Sequence, residues 1–195
     1  MNTRFSPLGD FPLAPGATVM RRADAADHPV TEDSPALDVM TDFATVDAVR
    51  VSPNVPIDAA HEQMKTSGVR LLFIVGSGDE LLGVITSRDI ESEKPLRFQR
   101  ELGVTRADVL ARDIMTQRDH LEVLTLEDVK HSRVGDIVST LRHLGRQHAM
   151  VVESTKGGFR VRGLFSTSRI GRQLGVVLEF GEKARTFAEI EAALR

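Results

Sequence analysis

The sequence predicts an α/β (α+β) protein built from one β-α-β-β-α unit used twice. Three observations carry that prediction. Landmarks recur in order: Asp38-Val39-Met40-Thr41 returns as Asp113-Ile114-Met115-Thr116, Gly68 as Gly145, and Gly83-Val84-Ile85-Thr86 as Gly163-Leu164-Phe165-Ser166, at offsets of 75, 77 and 80 residues. Slowly growing offsets mean an internal duplication with small insertions in the second copy. Each copy also holds a short, wholly apolar run, Leu71 to Val75 and Ala149 to Val152. Such runs are too short for a helix and suit a strand buried on both faces. Finally, an amphipathic pattern closed by glycine precedes each run, as a helix with a left-handed C-cap requires.

Residues 1–33 read as an irregular arm, punctuated by Pro7, Pro12, Pro15 and Pro29, with Phe5, Phe11 and Leu13 as its apolar anchors. Ser34-Pro35 reads as an N-cap followed by proline at the first helical position. The first repeat then occupies 34–94. It opens with a strand over Val49 to Val51, followed by a helix with Ile57, Ala60, His61 and Met64 on one face. The Leu71 to Val75 strand, a turn at Gly76-Ser77-Gly78-Asp79, a strand over Leu81 to Thr86 and a last helix complete it. A helical linker covers 95–112: Pro95 to Gly103 is one helix, and Thr105 to Met115 a second, opened by a Thr105/Asp108 capping box.

The second repeat, 113–175, follows the same grammar. Its first strand is Leu121 to Leu124, and its helix carries Val134, Ile137, Val138, Leu141 and Leu144 on one face. Thr155-Lys156-Gly157-Gly158 turns the Ala149 to Val152 strand into Val161 to Ser166. The last segment, 176–195, contains an amphipathic helix opened by a Thr186/Glu189 box, with Phe187, Ile190 and Leu194 on one face.

Composition narrows the function. The 195 residues are 41% hydrophobic and 27% charged with a formal net charge of -3, so the basic excess of a nucleic-acid or membrane-surface protein is absent. With no cysteine, disulfides, thiolate metal sites and cysteine nucleophiles are excluded. The six histidines, His28, His61, His120, His131, His143 and His148, show no metal-binding spacing within one helix. The arginines at 97, 100, 106 and 112 alternate with acids and lack the aromatic platform of a nucleic-acid binder. No signal peptide and no apolar run long enough to span a membrane is visible, so the expected location is cytoplasmic. No candidate base or metal site supports an enzyme.

Gly83-Val84-Ile85-Thr86-Ser87-Arg88-Asp89 matches the G-h-x-T-x-x-D signature of CBS repeats, and the surrounding order of landmarks is similar to that family from about residue 36 to 174. The chain therefore resembles a tandem CBS pair, or Bateman module. That resemblance implies two repeats packed about a pseudo-two-fold axis, with clefts between them that take AMP, ADP, ATP or S-adenosylmethionine and no metal cofactor. It implies a regulatory, non-catalytic module that pairs as a homodimer through its helices and signals to another protein by contact. A ligand-free oligomerisation or docking scaffold is the alternative.

By resemblance, Asp89 accepts from the ribose hydroxyls, and charge-assisted bonds of this kind are worth ~1.5–3 kcal/mol each. Thr86 contacts the sugar or phosphate, and Val84 lines the adenine side. Arg70 is a candidate phosphate contact, and His148 stands at the corresponding edge of the second repeat. Thr86 and Asp89 equally form a T-x-x-D capping box that needs no ligand. In the second repeat Ser166 keeps the hydroxyl, but Arg169 stands where the family has aspartate. A guanidinium donates and cannot accept, so that cleft is either closed by an arginine salt bridge or takes a phosphate-rich ligand.

Overall fold

In the computed structural model, which describes residues 30–178, both apolar runs are central strands. One sheet has the order β2-β3-β4-β5, from Arg50–Val51, Leu71–Val75, Leu81–Thr86 and Thr116–Gln117. The other has the order β1-β8-β7-β6, from Thr41–Asp42, Gly158–Ser166, His148–Thr155 and Val123–Thr125. β2 runs parallel to β3, and β6 parallel to β7. Parallel neighbours need a crossover, supplied by α1 (Ile57–Thr66) and α6 (Val134–Leu144). Both crossovers close on a glycine with the same positive φ of 64°, Gly68 and Gly145, where a side chain would be strained.

The strand faces divide the core. From β3, Leu72 and Ile74 point to the helices and pack with Ile57, Ala60 and Met64, while Leu71 and Phe73 meet Met150 of the second repeat. The second repeat has its own helix-side core around Phe165, Leu141 and Ile170. The sheets therefore bury one face against their helices and the other against each other.

The repeats exchange their leading segments. β1 precedes the first repeat's strands but pairs with β8 of the second, Thr41 opposite Leu164. β5 precedes the second repeat's strands but pairs with β4 of the first, Thr116 opposite Val84. The 3-10 turn Ala36–Val39 likewise packs in the second core, and Val109, Ala111 and Ile114 in the first. Residues 30–33 have no regular structure, and they dock on the second repeat through Gly135 N donating to Glu32 O (2.9 Å) and an Arg133–Asp33 ion pair (2.6 Å).

Several expected elements differ in detail. The opening strands are shorter and shifted: β2 is Arg50–Val51 rather than Val49 to Val51, and β6 is Val123–Thr125 rather than Leu121 to Leu124. The second hairpin is longer than expected, reaching Thr155 and restarting at Gly158. A short extra helix, α5 (Leu126–Lys130), precedes α6 and is capped by Thr125, whose hydroxyl accepts from Asp128 N.

The helix expected over Thr105 to Met115 is broken. The Thr105/Asp108 box forms, but it opens only a 3-10 turn, Arg106–Asp108, and the chain is then drawn into register with the segment before α1. Ile57 N donates to Val109 O (3.1 Å) and Ala111 N to Val55 O (2.8 Å), which leaves α4 as Ala111–Ile114. The same pairing recurs in the other half: Pro35 bridges Arg133, Ala36 N donates to Ser132 O (3.0 Å), and Ser34 caps no helix. The expected α3 is present as Lys94–Leu102, closed by Gly103. Phe5, Phe11, Leu13 and the Thr186 to Leu194 helix fall outside the described residues.

Candidate functional site

β4 ends at Thr86, and the chain turns at once into α2 (Ser87–Glu91). Thr86 is extended there, at φ -113° and ψ 161°, so its hydroxyl swings over the first turn of the helix. Oγ1 accepts from Asp89 N (3.2 Å) and donates to Asp89 Oδ2 (2.6 Å), while Thr86 N donates to the same Oδ2 (2.9 Å). The capping box read from the sequence is thus complete. Its side effect is to fill Oδ2 with two donors and turn Oδ1 the other way, toward Lys94 Nζ at the start of α3. The Asp89 side chain is only 13% exposed, against 47% for Lys94.

A cleft of about 290 Å³ lies beside this carboxylate, lined by both repeats. The first contributes Leu71, Val84, Thr86, Arg88 and Asp89. The second contributes His120, Leu121, Glu122, Arg146, Gln147, His148 and Met150, with Thr116 of the exchanged strand β5. Leu71, Val84, Leu121 and Met150 add apolar side chains to the polar lining, the usual composition of a small-molecule site. The volume is near the lower end of the roughly 300–1,000 Å³ typical for such sites.

Of the six residues singled out in the sequence, the structure brings four together: Val84, Thr86, Asp89 and His148 line this cleft. Arg70 and Ser166 do not. Arg70 is exposed at the entry to β3, where its carbonyl accepts from Ser87 N (3.0 Å). Ser166 pairs in register with His148 and starts α7 (Thr167–Leu174), its Oγ accepting from Arg169 N (3.2 Å). The second repeat keeps the hydroxyl cap without a carboxylate.

His148 is half-buried in the cleft wall. Burial, then the Arg70 and Arg88 charges, depress its pKa from the ordinary 6.5 to about 4, with Asp89 opposing. It is neutral at pH 7 and offers one donor and one acceptor. The sequence reading missed Arg88, Arg146 and Glu122 as cleft residues, and Thr116 as well. Thr116 belongs to the motif that opens each repeat, but nothing local in that motif reports that its strand crosses to the other sheet.

A larger cavity, about 800 Å³, opens at the hairpin end of the sheet interface between Phe73, Val75, Val152 and Phe159. None of the six residues lines it. Among the described residues, no helix is long and apolar enough to cross a membrane, and no group of histidines and carboxylates is arranged to hold a metal ion.

Comparison with known proteins adds to this geometry. Residues 36–93 match the CBS domain family. An inosine-5'-monophosphate dehydrogenase from Thermoplasma acidophilum is 29% identical over 85 residues, which are 44% of this chain but 16% of that enzyme. The chain thus spans a small part of that relative. Similar solved structures include an uncharacterized conserved protein from Pyrococcus horikoshii, at 18% identity and TM-score 0.53, covering 73% of this chain and 93% of that one. CBSX2 in complex with AMP is similar at 19% identity and TM-score 0.51, covering 71% of this chain and 94% of that one. The CBS domain pair of protein MJ0100, in complex with 5'-methylthioadenosine and S-adenosyl-L-methionine, is similar at 20% identity and TM-score 0.50, covering 75% and 98%.

Proposed function

We propose that this chain, with a CBS domain at residues 36–93 and the fold of a CBS pair, is a non-catalytic regulatory module that binds one adenosyl ligand beside Thr86 and Asp89. The observation that carries the reading is the meeting of Thr86, Asp89 and Val84 with the apolar side chains Leu71, Leu121 and Met150 in one cleft between the repeats. Structures of similar fold hold AMP, or 5'-methylthioadenosine and S-adenosyl-L-methionine.

The hydrogen-bond count says how a ribose would enter. Oδ2 of Asp89 already accepts two bonds from Thr86, so the hydroxyls of the sugar have only Oδ1 to address. Taking both sites of that oxygen displaces Lys94. Thr86 Oγ1, with one donor and one acceptor site engaged, retains a lone pair for a further hydroxyl. Arg169 offers no acceptor in the second repeat, so one ligand per chain is the stoichiometry. Occupancy is passed on by protein contact, within a homodimer formed through the helices or to a separate regulated protein in the cytoplasm.

Titration calorimetry with AMP, ADP, ATP and S-adenosylmethionine, on the wild type and on Asp89→Ala, tests the reading. The wild type is expected to bind one equivalent. Asp89→Ala should lose at least one charge-assisted bond, about tenfold to a hundredfold in affinity, while remaining folded. Unchanged affinity in Asp89→Ala would reduce Thr86 and Asp89 to a helix cap. If no adenosyl compound binds, the chain is the ligand-free scaffold.

A further inference from the structure

Four side chains that line the cleft carry charge at neutral pH: Arg88, Asp89, Glu122 and Arg146. Each of the two acids already faces a cation. Lys94 sits on Asp89 Oδ1, and Arg146 Nη2 lies 2.8 Å from Glu122 Oε2. Arg88 is left over. Among the described residues it makes no ion pair, and neither does Arg70, which stands outside the cleft but close enough to act on His148. After burial, the effects of these two guanidiniums on His148 each rank ahead of that of Asp89, so both project their charge into the same wall. A neutral His148 leaves that excess uncompensated by any further titration at pH 7.

Resting on the adenosyl reading above, we infer that the cleft selects phosphorylated adenosyl ligands, nucleotides, over neutral adenosyl compounds and over the sulfonium cation of S-adenosylmethionine, with Arg88 as the specificity-determining residue. A phosphate supplies the anion that the internal pairs do not. Guanidinium–phosphate bonds are charge-assisted and bidentate, the strong kind. A sulfonium brings a second positive charge to the same place. Displacement of Lys94 by the ribose adds to the preference, because it frees another cation next to the ligand.

The test is calorimetry on the full chain with adenosine, AMP, ADP, 5'-methylthioadenosine and S-adenosylmethionine, at two salt concentrations. AMP is expected to bind at least tenfold more tightly than adenosine, with the gap shrinking as salt rises. S-adenosylmethionine should bind no more tightly than neutral 5'-methylthioadenosine. Arg88→Gln should weaken AMP more than adenosine and close most of the gap, with an unchanged melting curve because the side chain is exposed. Equal affinity for adenosine and AMP, preference for S-adenosylmethionine, or a gap that survives Arg88→Gln overturns the charge selection while the adenosyl site stands. Absence of binding by every compound overturns the adenosyl reading itself.

Discussion

At the end of its second strand the first repeat has Thr86 and answers it three residues later with Asp89, whereas the second has Ser166 and answers with Arg169. Both hydroxyls accept from the backbone N–H three residues on, at the same 3.2 Å, and both start a helix. The hydroxyl is therefore sufficient to begin the turn. The carboxylate of the first repeat is an addition, held largely buried with Oδ1 facing away from the cap. The contrast continues one register position away. Thr86 pairs with Leu71 on β3, and Ser166 pairs with His148 on β7. One repeat places an aliphatic side chain in the cleft where the other places an imidazole, so the duplicated frame carries two different chemistries.

The imidazole gives the largest expected effect. His148 has a folded pKa near 4 against an ordinary 6.5. Between those values the unfolded chain binds the proton and the folded one does not. The stability is therefore present above the ordinary value and is lost as pH falls through 6.5 toward 4. The linkage amounts to about 2–3 kcal/mol at pH 4.5. Urea unfolding of the wild type and of His148→Leu, which copies Leu71, measures it: the wild type should lose that much more between pH 7 and 4.5 than the variant. Parallel pH curves for the two proteins would mean that the imidazole takes its proton without cost in the fold.

The exchanged strands separate the repeats next. A Cβ on Gly83 would clash with the Thr116 carbonyl oxygen, which is backbone in β5 and cannot swing aside. A Cβ on Gly163 meets first the sulfur and Cγ of Met40, the flexible end of a side chain, although the Thr41 carbonyl oxygen is also close at 2.9 Å. Gly83→Ala should cost ~2–3 kcal/mol and Gly163→Ala ~1 kcal/mol. For a chain of this size each kcal/mol shifts the melting temperature by roughly 2–4 °C. A greater loss in Gly163→Ala would place the tighter strand exchange in the second sheet instead.

These glycines also show what was legible in the sequence. Their recurrence marked the duplication, and each lies inside the strand expected around it, β4 and β8, because repeated motifs and apolar runs are local signals. The partner that makes glycine necessary is 33 residues away for Gly83 and 122 residues away for Gly163, in the motif that opens the opposite repeat. No local pattern reports such a crossing. The break at Val109 was hidden for the same reason: the Thr105/Asp108 box is a sound helix start, but Val55 and Ile57 claim the following backbone groups. In the cleft, Thr86 and Asp89 were legible because a motif joins them. Arg88 stood inside that motif as an unspecified position, and Arg146 and Glu122 reach the cleft from the second repeat only through the fold.

The smallest expected effect tests the comparison of the caps themselves. Ser166→Ala removes the acceptor of Arg169 N and the contact with Ser168 Oγ, both made to neutral groups. Thr86→Ala removes the acceptor of Asp89 N and, in addition, the Oγ1 donor to an ionised carboxylate that is mostly buried. Thr86 N still donates to that carboxylate, so the charge is not abandoned. Loss of a cap costs ~1 kcal/mol, and the charge-assisted bond adds a few tenths to about one more. Thr86→Ala should therefore destabilise by ~1.5–2 kcal/mol and Ser166→Ala by ~1 kcal/mol, with Thr86→Ser recovering most of the difference because it restores the oxygen. Equal losses in denaturant unfolding would mean that the Thr86 hydroxyl serves only the backbone of the helix. In that case the Asp89 carboxylate is oriented by Thr86 N and Lys94 alone.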